Sequence, residues 1–478
     1  MSQSPVLFNT SIVPQSTLAN PHLACHKCSR FRSNTSGICI RRTEQNTDCE
    51  ILFVYYEPDE STFKSGQWSF MHESLCVTIA KNTLKHTQIA LTGSRQCPNK
   101  SGRLVTVDNA CDSHALCSSW LDNEIRSFNP SVIVPIGFKA TGAVLHCAFP
   151  QYVGKGVSGG NYIGFQIPCG KYNAWICPVF SSRDNEDVGL LQQTHRGEMP
   201  TPAQPFVYLY INQHMERVLE LVDKRPFSHA GFDPTPSLGD FEIVMSPNAL
   251  SEIFDKWCSE AEYAAFDYEC NCLNPESVGA RVLTASVAFG DENGNILKTI
   301  AFSFTDKNYD DVWRKFLRSD IRKIGGNIKF EERWGLVYFN QPTNNWYWDV
   351  CVAGHIQDAT PGNAGVKHLC FVHFGVGGYD KDVEPFLKTR HLYGLNELEK
   401  KLKRDALLTY NAIDSIMTLK LMYKQKEELE IADNWDRMAL WRFGSKPKSK
   451  KKVPVNAPVE PLDKMSFYCA VADLSDDW

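Results

Sequence analysis

Ala264-Ala265-Phe266-Asp267-Tyr268-Glu269-Cys270 opens on apolar residues and then alternates large apolar side chains with carboxylates. On an extended strand, residues two apart share a face. Asp267 and Glu269 therefore project together, while Phe266, Tyr268 and Cys270 point the other way. Two carboxylates on one face of a buried strand repel each other unless cations neutralise them, which points to bound Mg²⁺ or Mn²⁺. The stretch reads as a metal-bearing strand.

Working outward, residues 281–289 and 296–304 read as two strands rich in Val, Ile, Thr and Phe. Gly290-Asp291-Glu292-Asn293-Gly294-Asn295 between them is a strong turn signal. A carboxylate strand that opens an antiparallel meander, followed by alternating helices and strands, is how a ribonuclease-H-like core begins. Asn327-Ile328-Lys329-Phe330-Glu331 supplies a further carboxylate. Leu407 to Leu421 has the apolar recurrence of a helix, and Tyr410 and Asp414, four apart, are neighbours on one of its faces. An isolated Asp-x-Glu or Tyr-x-x-x-Asp arises by chance in most chains of this length. Four carboxylates and a tyrosine in this order suit hydrolysis with two ions roughly 4 Å apart, Asp414 completing the cage and Tyr410 orienting the water.

Residues from about 241 to 430 resemble the proofreading 3′-5′ exonuclease domain of family A DNA polymerases, the DEDDy variety whose third motif is Tyr-x-x-x-Asp. Phe241-Glu242-Ile243-Val244 with a helix through Trp257, Trp348 to Ile356, and Gly365-Val366-Lys367-His368-Leu369 are similar to the family's intervening text. The resemblance implies catalytic residues Asp267, Glu269, Glu331, Tyr410 and Asp414, with the four carboxylates holding two divalent cations, Mg²⁺ or Mn²⁺, and nucleoside monophosphates as product. Where the family ends its second motif in Asp, this chain has Glu331. The longer side chain moves the carboxylate by about one bond length, and shifts near 1 Å can cost on the order of a hundredfold in rate. Asp349 precedes a helix, where an N-cap role competes with ligation, and it is left out of the metal shell.

A different chemistry occupies the first part of the chain. Cys25-His26-Lys27-Cys28 is a Cys-x-x-Cys pair, and Cys97 and Cys117 follow. Four thiolates suit tetrahedral zinc or an iron–sulfur cluster, and spacing alone does not separate them. The context is a buried strand at Ile51-Leu52-Phe53-Val54, another ending at Thr92-Gly93, a helix starting at Cys117, and Asn129-Pro130 leading into Val132-Ile133-Val134. Over residues 20–195 this text resembles the iron–sulfur uracil-DNA glycosylases. That resemblance implies a three-layer α/β/α domain with a central parallel sheet, and Cys25, Cys28, Cys97 and Cys117 as ligands of a [4Fe-4S] cluster, with zinc as the alternative. The family's catalytic text is poorly kept. Tyr55-Tyr56-Glu57-Pro58-Asp59 replaces Gly-Glu-x-Pro-Gly, Gly93 stands where Asn is expected, and Ser181-Ser182-Arg183 lacks the His. The expectation is a retained fold that binds DNA without glycosylase activity.

At 478 residues, 43% hydrophobic, the chain suits two or three domains. Residues 196–240 are expected to be a linker with a connecting helix near 206–222, 241–430 the ribonuclease H-like exonuclease domain, and 431–478 a basic tail, either disordered or a phosphate-binding arm. No apolar run is long enough to span a bilayer. A net charge of −5 does not exclude DNA binding, which depends on local basic patches. Seventeen cysteines, an odd count, without an N-terminal secretory segment, argue for a reducing cytoplasm over a disulfide framework. Nothing resembles polymerase palm or finger motifs. The expected activity is a 3′-5′ DNA exonuclease on single-stranded or frayed 3′ ends, either beside a separately encoded polymerase or as a standalone nuclease. The combination resembles bacteriophage replication proteins, which implies the host cytoplasm. An RNA-trimming exonuclease and a non-catalytic replication adaptor are the alternatives.

Overall fold

The computed structural model describes residues 10–14, 38–42, 49–56, 75–85, 88–94, 107–153, 159–181, 204–305, 307–359, 362–387 and 404–432. The expected tail beyond Ala432, the first part of the expected linker (196–203), and Cys25, Cys28, Cys97 and Glu57 lie outside the described residues. Among those described, no helix is long and apolar enough to cross a membrane.

β1 (Thr10–Pro14) and β2 (Ile38–Arg42) pair antiparallel. β3 (Ile51–Tyr55), β4 (Ile89–Gly93), β5 (Val132–Pro135), β6 (Ile167–Cys169) and β7 (Ala174–Ile176) form a sheet in the order β4-β3-β5-β7-β6. Strands covered on both faces read as unbroken apolar runs, and Ile51, Leu52, Phe53, Val132, Ile133 and Val134 are all inaccessible to solvent. The sheet is parallel except at β6, which runs antiparallel to β7. Only residues 170–173 join these two strands, too few for a crossover. Around the sheet, α1 (Leu75–Thr83) packs on α4 (Gln204–Glu220), and α2 (Val107–Phe128) on α3 (Phe138–Ala148). The helix expected to start at Cys117 begins at Val107 instead. No proline or glycine lies between the two positions, so nothing interrupts the earlier turns.

The second sheet contains β8 (Glu242–Ile243), β9 (Tyr263–Cys270), β10 (Val282–Gly290), β11 (Ile296–Ser303), β12 (Arg322–Gly325) and β13 (Trp346–Asp349). Their order is β13-β12-β9-β10-β11-β8. β9, β10 and β11 are the antiparallel meander, and β12 and β13 run parallel to β9 and each other. The hairpin between β10 and β11 turns on the Asp291 carboxylate, which accepts from the Asn293 and Asn295 amides, with Gly294 at φ 87°. This is a mixed α/β fold with the carboxylate strand at the middle of its sheet. Its helices are α5 (Pro247–Glu260), α6 (Lys307–Arg318), α7 (Ile328–Tyr338), α8 (Val350–Gln357), α9 (Val366–Phe374), α10 (Glu384–Leu387) and α11 (Arg404–Ala432).

The two faces of this sheet differ in volume. One is aromatic: Phe266, Phe289 and Phe302 meet Phe254 of α5 and Trp313 and Phe316 of α6. The other presents Ala265, Ala288 and Ala301 to Ala412, Ile416 and Met417 of α11. Small side chains let a helix lie close to a sheet, and the carboxylates of β9 emerge on this close-packed side.

By its contacts the chain divides after Leu429, so both sheets belong to one compact unit. α9 is the joint between them. Phe371 and Val372 are buried in the core of the first sheet, with Phe371 ring centroids 4.8 Å from Phe149 and 4.6 Å from Tyr152. Gly375, at φ 69°, lies so near the Pro168 carbonyl oxygen that a Cβ would stand 2.1 Å from it. Phe371→Ala should cost about 3–5 kcal/mol of unfolding free energy in a urea titration. A loss under about 1 kcal/mol would show that the two sheets do not depend on this contact.

Candidate metal centre

The site is assembled by register. Across β9 and β10, Asp267 stands opposite Ser286 and Glu269 opposite Thr284. The buried Ser286 hydroxyl donates to the Asn411 carbonyl at 2.6 Å and meets the Ser415 hydroxyl at 2.5 Å, and Ser415 also bonds the Ser286 carbonyl at 3.1 Å. These bonds hold one turn of α11 against β10. Asn411 in that turn donates from Nδ2 to Asp267 Oδ2 at 2.8 Å. Tyr410 and Asp414 flank it on the same helix, so the third motif arrives over the first.

One oxygen from each of Asp267, Glu269 and Asp414 lies within 4.8 Å of the others. Glu269 and Asp414 are buried, and Asp267 is partly exposed to the cavity described below. Burial, followed by the charge of Asp414, pushes the Asp267 carboxyl well above its ordinary 3.8. Burial and then Asp267 push Glu269 well above 4.5. Asp414 is raised by burial but opposed by Lys367 and by hydrogen bonds from Tyr379, at 2.6 Å, and Tyr410. The Tyr410 phenol is itself driven far up by burial and by Asp414, so it remains a neutral donor at physiological pH.

Glu331, on the first turn of α7, stands outside that trio of oxygens, but its charge is felt by Glu269. It is only 2% exposed, and burial followed by Asp267 raises its carboxyl well above 4.5. Its Oε2 is buried without a hydrogen-bond partner. An unpartnered buried carboxylate oxygen facing a cluster of carboxylates is costly unless a cation answers it. A hard oxygen set of this kind suits Mg²⁺ or Mn²⁺. Asp349 has a different task. Its carboxylate accepts from the amides of Asn327, Ile328, Cys351 and Val352 at 2.9 to 3.2 Å, tying the starts of α7 and α8 together. Asn327 sits at φ 65°, a left-handed conformation that asparagine tolerates, which accounts for the residue type at the head of this motif.

A cavity of about 470 Å³ opens over the carboxylates, lined by Asp267, Tyr410, Asp414, Lys367, His368, Gly326 and Gly365 among others. Tyr379 carries no signal in the sequence that would assign it here, whereas Lys367 stands in the Gly365-Val366-Lys367-His368-Leu369 stretch, which carries a resemblance but no site role. Asn411 lies inside the Tyr410 to Asp414 motif, whose spacing singles out only the tyrosine and the aspartate. Of the four cysteines expected to bind a cluster, only Cys117 is described; it is half-buried in the middle of α2.

No family model matches this chain, and no curated protein matches it. Among solved structures it is similar to Trypanosoma brucei RNase D in complex with RNA U12, at 16% identity and TM-score 0.31 over 38% of this chain and 60% of that one. The catalytic core of RRP6 from Trypanosoma brucei aligns at 13% identity and TM-score 0.33 over 42% of this chain and 50% of that one. Brucella melitensis NrnC with bound Mg²⁺ aligns at 15% identity and TM-score 0.27 over 41% of this chain and 94% of that one. The chain thus spans less than two thirds of the RNase D and RRP6 structures.

The raised carboxyls make a prediction about stability. Protonation of these groups favours the folded state, so their contribution is present below the ordinary carboxylate range and is lost as pH rises through the raised folded values. Without metal, the thermal midpoint should fall as pH rises above the ordinary carboxylate range, and Mn²⁺ at about 100 times its Kd should restore about 2.7 kcal/mol. Asp267→Asn should flatten the metal-free decline and abolish the Mn²⁺ response. A wild-type midpoint indifferent to Mn²⁺ would remove the metal centre.

Proposed function

We propose that this chain is a metal-dependent 3′-5′ exonuclease of the four-carboxylate, tyrosine-containing type, acting on DNA 3′ ends in proofreading beside a separately encoded polymerase. The observation that carries the reading is the convergence of Asp267 and Glu269 with Asp414, which lies about 145 residues later, one helical turn after Tyr410. Surface acids have no reason to collect in a cavity under close-packed alanines, where burial opposes their charge.

Asp267, Glu269, Glu331 and Asp414 would hold the cations, which when bound supply the positive charge that favours attack of water on the phosphodiester and departure of the 3′ oxygen. The chain's own groups do the positioning. Asn411 fixes Asp267, Tyr379 fixes Asp414, and the neutral Tyr410 hydroxyl orients water without acting as a base. The preference for DNA rests on the glycosylase-like text of the first module, which is proposed to bind DNA without glycosylase activity. Cys25, Cys28, Cys97 and Cys117 take part in no step of the hydrolysis.

The test uses 5′-labelled single-stranded DNA and RNA of matched sequence, with Mg²⁺, Mn²⁺ or chelator. A metal-dependent ladder shortening from the 3′ end of DNA is expected, reduced by about 100-fold or more in Asp267→Ala, since even outer-shell partners of metal ligands cost 10–100-fold. Cleavage of RNA alone would transfer the activity to RNA trimming, and intact substrate in every lane would leave a non-catalytic adaptor. Glu331→Asp should preserve or raise the rate; a large loss would mean that the site is built around the longer side chain.

A further inference from the structure

From the placement of Lys367 we infer a phosphate-binding residue within the acidic cavity, one that grips the 3′-terminal nucleotide. The inference rests on the exonuclease reading above. Lys367 lies on the first turn of α9 and lines the same cavity as Asp267, Tyr410 and Asp414. Among the described residues lining that cavity it is the one lysine or arginine, and its neighbour His368 is held neutral, burial lowering that ring to about 4.

Two contacts aim the ammonium group. Its Nζ pairs with Asp380 Oδ2 at 2.9 Å and stands 5.0 Å from the centroid of the Tyr410 ring. That ring is stacked in turn on Tyr379, at 5.9 Å and 27°. An ammonium has three donors, and the pair with Asp380 uses one. The side chain is thus held at the cavity wall by a fixed carboxylate and an aromatic face. Its charge is felt by Asp414 and Glu269 of the trio. Gly365, two residues earlier, leaves the wall open: a Cβ there would meet nothing within 4 Å. A phosphodiester entering this space meets Lys367 together with Asp267 and Asp414, and charge-assisted bonds from an ammonium to phosphate are the strong kind. The helix that carries Lys367 also carries Phe371 into the first sheet's core, so the grip is anchored from outside the nuclease sheet.

The experiment compares wild type, Lys367→Met, Lys367→Arg and Asp380→Asn in full-length protein. Mn²⁺ affinity is measured by calorimetry, then the affinity of the Mn²⁺-loaded protein for deoxythymidine 5′-monophosphate. Lys367→Met should keep the wild-type circular dichroism and bind Mn²⁺ as tightly or more tightly, because a positive charge has left the site. Its nucleotide affinity should fall by about 10- to 100-fold, the worth of a hydrogen bond to a charged group. Lys367→Arg should recover most of that loss, and Asp380→Asn should cost less than Lys367→Met. Weaker Mn²⁺ binding in Lys367→Met, or nucleotide affinity indifferent to Lys367, would overturn the inference while leaving the nuclease standing. A wild type that binds no Mn²⁺ would sink the nuclease reading itself.

Discussion

The buried hydroxyl of Ser286 is the contact on which the acidic centre depends. It sits opposite Asp267 on the neighbouring strand and bonds to Asn411 and Ser415 on α11, so one turn of a long helix is held against one residue of the sheet. Hydrophobic packing alone would tolerate a helix sliding along a row of alanines. Polar groups buried without partners are costly, so the Ser286 bonds select a single register, and that register brings Asp414 over Asp267 and Glu269.

The same register brings together groups that repel. Burial raises all four carboxyls, and the charge of a neighbour in the cluster adds to it at Asp267, Glu269 and Glu331, which means the fold holds them against their own preference. Hydrogen bonds relieve part of the strain. Asn411 serves Asp267, Tyr379 and Tyr410 serve Asp414, and Lys367 brings a counter-charge nearby, while Oε2 of Glu331 is left with nothing. A site destabilised in this way stores affinity for cations, and its rigidity comes from the aromatic layer behind β9, where Phe266 and Tyr268 are locked against Trp313.

α9 links this chemistry to the rest of the molecule. Within three turns it places Lys367 at the cavity, His368 against Tyr162 and Phe165, and Phe371 in the core of the first sheet. A change in the first sheet is therefore felt at the cavity wall through one short rigid element. The first module is thereby a support for the second.

Much of the second sheet and part of its centre were legible in the sequence, because they depend on neighbours along the chain. A period of two puts Asp267 and Glu269 on one face, a spacing of four puts Tyr410 beside Asp414, and the Asp291 to Asn295 turn announces its hairpin. The apolar runs of β3 and β5 likewise declare buried strands. Helix ends were less readable: the start at Val107 was missed because the expected start at Cys117 has no breaker before it. Asn411, Tyr379 and Ser286 are illegible as site residues, since each matters only for what stands opposite it after folding: Tyr379 meets Asp414 35 residues away, and Asn411 meets Asp267 144 residues away. The sequence by itself determined which faces carry carboxylates. Tertiary structure decided which of those faces meet, because register between a helix and a sheet is set by buried bonds and side-chain volumes that no local period encodes.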